Sequence, residues 1–191
     1  MASVRGRSLQ VRLWLAFLVG CTVGGTLTAA ALGVLSGLLT PIPLPVRAVV
    51  FGVIAVLLAA TDLRQPLLRL PQRRELIPQE VFARGMGRGG FRFGVEYGCG
   101  FRTLVPSAAS YIAACFILLA GMPWGWAIAL GAAFGASRSL AVLQYILLGR
   151  PGWQRFLSGH TRWLERGGTV VTTALLGWAI LGVLADAGYL T

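Results

Sequence analysis

The sequence predicts an all-α polytopic membrane protein of about five transmembrane helices, forming one integral membrane domain over residues 1–191. Three observations predict it. Leu13 to Thr40 runs for 28 residues without a charged side chain, more than a hydrocarbon core of ~30 Å requires at ~1.5 Å per residue. Similar apolar runs follow, so that 56% of the chain is hydrophobic and 12% charged, against about 25% charged in soluble domains. The basic residues gather in the segments between those runs.

The first span is read over 14–39 and stops at Pro41, Pro43 and Pro45, which cannot continue a helix. The second covers 46–63, with Arg47 snorkelling to the interface at its start and Asp62 near the opposite one. A basic loop, 64–90, holds Pro66, Pro71, Pro78 and six arginines. A single helix over 91–119 is expected next, turned by Gly121-Met122-Pro123 into a span over 124–148. The last span is read over 168–184. Between the last two, Trp153, Phe156, Leu157, His160, Trp163 and Leu164 share one helical face, opposite Gln154, Arg155, Ser158, Arg162 and Glu165. With Pro151 at its start, segment 151–166 reads as an amphipathic interfacial helix, a plain linker being the alternative. The N-terminal run resembles a signal peptide, but its charge-free length exceeds the ~7–15 residues of a signal core and predicts a retained helix.

All 17 basic residues are arginine, and the net charge is +11. Five spans put Arg5, Arg7 and Arg12, the arginines of 64–92, and Arg150, Arg155, Arg162 and Arg166 on one face, leaving Arg47 on the other. The positive-inside rule then predicts a cytoplasmic N-terminus, the membrane being read as a bacterial inner membrane. Clustered beside apolar runs, the arginines point to anionic lipid headgroups as partners and not to nucleic acid, for which no binding module is recognisable.

Two hairpins look duplicated. Gly20-Cys21, Thr26-Leu27, a proline turn, Gly52 and Asp62 parallel Gly98-Cys99, Thr103-Leu104, a proline turn, Gly131 and Arg138. Gly20-x-x-x-Gly24, Gly94-x-x-x-Gly98 and Gly131-x-x-x-Gly135 each put two glycines on one helical face. Such faces serve close helix packing, inside the bundle or in a homo- or hetero-oligomer.

Ionisable residues within spans are costly and mark a function or a structural pair. Arg102 lies ~15 Å and Arg138 ~18 Å inside the basic boundary, whereas Glu96 lies ~6 Å in. Glu96 with Arg138 and Asp62 with Arg102 are the expected pairs, either locking helices or lining a path. Glu96, Cys99, Thr103, Ser107 and Ser110 share a face beside Pro106. That stripe suits a hydrated path or interhelical hydrogen bonding. Cys21 and Cys99 fall at similar depth, offset by ~3 Å, and form a candidate redox pair if their Cα atoms approach within ~7 Å. Packing as small hydrophobes is the other reading, and the one taken for Cys115. No cofactor or metal is implied. With no CxxC, HExxH, Ser/His set or paired aspartates, an enzyme is the weaker reading.

Phe93-Gly94-Val95-Glu96-Tyr97-Gly98-Cys99-Gly100-Phe101-Arg102-Thr103, with Pro106-Ser107-Ala108 and Tyr111, resembles a pattern in small actinobacterial multi-pass membrane proteins of undefined function. Gly131-Ala132-Ala133-Phe134-Gly135 with Arg138 is similar to their next helix. Some of them resemble the CcdA/DsbD transmembrane thiol–disulfide carriers, which implies electron transfer through Cys21 and Cys99. The chain departs from that pattern in its five spans and in having no proline beside either cysteine. The expected function is therefore a small membrane carrier of reducing equivalents or of a small solute. The alternative is a non-catalytic scaffold or accessory subunit. An alkaline phosphatase fused behind Thr191 is expected to be active, and a fluorescent protein fused there dark. The opposite pattern would overturn the five-span orientation.

Overall fold

The computed structural model describes residues 4–63, 86–100 and 108–189, and the regular elements among them are all helices. They are α1 (Val4–Leu38), α2 (Leu44–Leu63), α3 (Met86–Gly98), α4 (Ala109–Leu119) and α5 (Trp124–Asp186). Helix α1 ends in a turn in which the Leu39 and Thr40 amides donate to Ser36 and Gly37, just before Pro41. Pro45 occupies the first turn of α2, where a missing amide hydrogen costs nothing. Helix α5 is two helices joined at Gly149, whose φ of 68° and ψ of 166° no helical residue adopts.

Four of the helical stretches are long and apolar enough to cross a membrane: Leu9–Leu38, Leu44–Leu63, Trp124–Gly149 and Ser158–Asp186. Their outward faces match that solvent. Along α2 the inward residues are Ala48, Phe51, Ala55 and Ala59, and the outward ones are Val49, Val53 and Val56. A water-facing helix would carry its polar residues there; this one carries valine.

The predicted single helix over 91–119 is interrupted. Helix α3 ends at Gly98, and Gly100 takes a φ of 75°, which releases the chain from the helical path. Helix resumes at Ala109, beyond Pro106, a residue with no amide hydrogen to donate. Segment 151–166 likewise differs from expectation. It is helical, but it is not set off from the last span, because beyond Gly149 the helix continues unbroken to Asp186. Pro151 falls in its first turn, and nothing after it removes a donor. Met86 to Gly90, assigned to the loop, already belong to α3, and the rest of 64–90 lies outside the described residues. The two hairpins are accordingly not equivalent in backbone: α1 is continuous and its counterpart is broken.

Two compact units divide the chain. The first holds α1 through Thr28, α3, and α5 from Ile128 to Gly159. Its contacts run through glycine. A Cβ at Gly20 or Gly24 would overlap the carbonyl oxygens of Phe91 and Val95, and one at Gly94 or Gly98 would overlap those of Phe17 and Cys21. Gly25 meets the Gly131 carbonyl, and Gly135 the Cys21 carbonyl. All three glycine pairs read from the sequence thus meet partners within the chain. The Trp14 indole N–H donates to the Ser139 carbonyl at 3.1 Å, tying α1 to α5.

The second unit holds α1 from Ala29, α2, α4 and the two ends of α5. Phe51 and Phe116 meet edge to face with ring centres 5.5 Å apart, joining α2 to α4. Gly33 lies against Ala127 and Trp124.

Gly24→Ala is expected to destabilise the detergent-purified protein by about 1–3 kcal/mol, because the α1–α3 backbones must part to admit a methyl group. Gly177→Ala, whose Cβ would enter open space, is expected to be neutral or stabilising by up to ~1 kcal/mol. Thermal unfolding of both variants checks the contrast.

Candidate functional site

Where α3 ends and α4 begins, amides and carbonyls lose their intrahelical partners. The described residues show what satisfies them. At the end of α3, the Cys99 carbonyl accepts from the Thr28 hydroxyl of α1 at 3.1 Å, and the Cys99 thiol donates to the Gly24 carbonyl at 3.5 Å. At the start of α4, the Ala108 amide donates to Asp62 Oδ2 at 2.8 Å. The same oxygen accepts from the Thr169 hydroxyl at 2.6 Å. Asp62 therefore joins α2 to the N-terminus of α4 and to α5.

This second cluster is the candidate site. A carboxylate at a helix N-terminus is favoured by the orphan amides and the helix dipole, and its hydrogen bonds are charge-assisted. Thr169 is fully buried, and its carbonyl in turn accepts from Thr173 at 2.7 Å. An ionisable group placed this way inside a membrane protein can hold a proton, a cation or the donor groups of a solute.

The first unit holds the remaining described candidates. Glu96 takes Arg92, one turn earlier, at 3.5 Å. The Arg138 guanidinium lies over the Tyr97 ring at 4.3 Å and near the Phe134 ring at 5.6 Å, so aromatic faces share in holding its charge. Phe17 packs on the Phe93 and Tyr97 rings with centres 5.5 and 5.6 Å away, which fixes the Tyr97 face that Arg138 covers. Cys21, Cys99 and Cys115 are free thiols. Cys21 is completely buried, its backbone pressed on by Gly98 and Gly135. Arg102, Thr103 and Ser107 lie outside the described residues.

Arg47 departs from the expected snorkelling. It is 5% exposed, with one terminal nitrogen, Nη2, against Gly121. Thr169, Thr28 and Tyr97 were not singled out from sequence. The spacing of Thr169 and Thr173, which puts two hydroxyls on one face of the last span, was the available signal.

Among the described residues, no group of three or more histidine, cysteine or acidic side chains could hold a metal ion. No family model, curated protein or solved structure matches the chain.

Asp62→Leu is expected to destabilise the protein by about 3–6 kcal/mol, since each of its two hydrogen bonds to a charged group contributes about 1.5–3 kcal/mol. Asp62→Asn, which keeps an acceptor oxygen, is expected to lose less. Chemical or thermal unfolding in detergent checks the order, and equal losses would show that charge is irrelevant to the cap.

Proposed function

We propose that the chain is a small multi-pass membrane carrier moving a small solute, with Asp62 and Thr169 at the start of α4 as its polar station. The start of α4 carries this reading, since carriers build solute sites from helix ends. Here the resumed helix meets an ionisable side chain and a buried hydroxyl from two other helices. In this reading the chain crosses the membrane five times. The basic segments then face the cytoplasm of a bacterial cell, with the N-terminus on the same side.

The thiol version, suggested by likeness to the actinobacterial proteins and the CcdA/DsbD carriers, is less well supported. Disulfide exchange needs a sulfur that a partner thiol can reach. Cys21 is sealed by helix backbones, and the Cys99 thiol is engaged with the Gly24 carbonyl.

The test is efflux from proteoliposomes loaded with a bacterial metabolite extract, followed by mass spectrometry of the external medium. At least one solute is expected to leave faster than from protein-free vesicles. Asp62→Asn is expected to slow it about tenfold, equivalent to ~1.4 kcal/mol of barrier. Cys21→Ser with Cys99→Ser is expected to keep the rate. Wild-type vesicles that release nothing above background would overturn the carrier reading in favour of a scaffold or accessory subunit. A rate abolished by the cysteine pair alone would return the thiol version.

A further inference from the structure

Arg47 is buried at a cost. It is 5% exposed, yet its Nε and Nη1 atoms are buried without a hydrogen-bond partner. A buried guanidinium lacking acceptors loses its hydration without compensation, a penalty proteins rarely carry unless a ligand supplies the missing atoms. The chain has six acidic residues. Of the four among the described residues, Asp62 is bonded to Ala108 and Thr169, and Glu96 to Arg92. Glu165 and Asp186 form no ion pair with Arg47. Asp62 also lies fifteen residues further along α2, or ~22 Å at the helical rise.

The surroundings favour an anion. Arg47 is in the first turn of α2, where the helix itself supplies no acceptor for the Leu44 and Val46 amides, and its Cβ tilts toward that end. The Nη2 atom rests on Gly121, whose φ is 63° and where any Cβ would collide with the guanidinium. Gly121 follows the C-terminal cap of α4, whose dipole helps hold the guanidinium and not an anion, so the case for an anion rests on the unpartnered Nε and Nη1 donors. The twenty residues of α2 measure ~30 Å, the thickness of the hydrocarbon core. A helix of that length that crosses the core has its first turn at one boundary, next to the headgroup layer.

We propose that Arg47, with the first turn of α2 and the Gly121 turn, forms a binding site for a phosphate group. A phospholipid headgroup and a free phosphate share the chemistry that would fill it. Anionic oxygens accept from Nε, Nη1 and the orphan amides, and guanidinium is the side chain best suited to them. The site is independent of the carrier reading, because Asp62 and Thr169 take no part in it.

The test uses the full chain in a neutral detergent, with thermal midpoint and native mass spectrometry as readouts. Phosphatidylglycerol, a diglucosyl diacylglycerol without phosphate, and inorganic phosphate are the three probes. Phosphatidylglycerol is expected to raise the wild-type midpoint and to remain bound in the gas phase, whereas the glycolipid does neither. Arg47→Gln is expected to bind phosphatidylglycerol about tenfold more weakly, and Arg47→Lys to fall between. If inorganic phosphate alone gives the Arg47-dependent rise, the site stands and its ligand is soluble. Equal responses to the phosphate-bearing and phosphate-free probes in the wild type would overturn the proposal, a measurement needing no variant. An undiminished response in Arg47→Gln would overturn it as well.

Discussion

A polar group in hydrocarbon has no water to turn to, and the described structure follows from that constraint. It accounts for unbroken helix across the apolar stretches of α1 and α5, since only intrahelical bonds satisfy every amide and carbonyl there. It also explains the behaviour of the hydroxyls. Thr22 and Thr26 donate back to Leu18 and Thr22, and Ser139 to Ala136. Where the helix is interrupted, the same constraint recruits side chains from elsewhere: Thr28 for the Cys99 carbonyl and Asp62 for the Ala108 amide.

Burying apolar surface gives little drive for helices to associate when the solvent is itself apolar, so close backbone contact takes its place. In the first unit, α1 offers Gly20 and Gly24 to one neighbour and Gly25 to another, with reciprocal glycines at 94, 98 and 135. The larger side chains then fill what the glycines leave. Phe17, Phe93 and Tyr97 form an aromatic group, on which the charged end of Arg138 finds a neighbour other than lipid.

Much of this was legible in the amino acids. The spans over 14–39, 46–63 and 124–148 agree with their helices to within a turn at their inner ends, because charge-free length is a property of local composition. The three glycine pairs were legible as close-contact faces, but their partners were not, since spacing along one helix carries no information about which helix arrives. The broken helix was missed although Gly100 and Pro106 were both in view. A glycine inside an apolar run is tolerated in a helix unless something else takes over its neighbours' hydrogen bonds. What does so is Thr28, 71 positions away from Cys99. Asp62 stood out as an ionisable residue, whereas Thr169, 107 positions distant, looked like one more small side chain in the final span.

The bonding of Asp62 has a mechanical consequence. A single oxygen atom pins the ends or sides of α2, α4 and α5 together. Any event that draws charge away from that atom slackens both attachments at once. The meeting of three helices thus depends on the charge of one carboxylate oxygen.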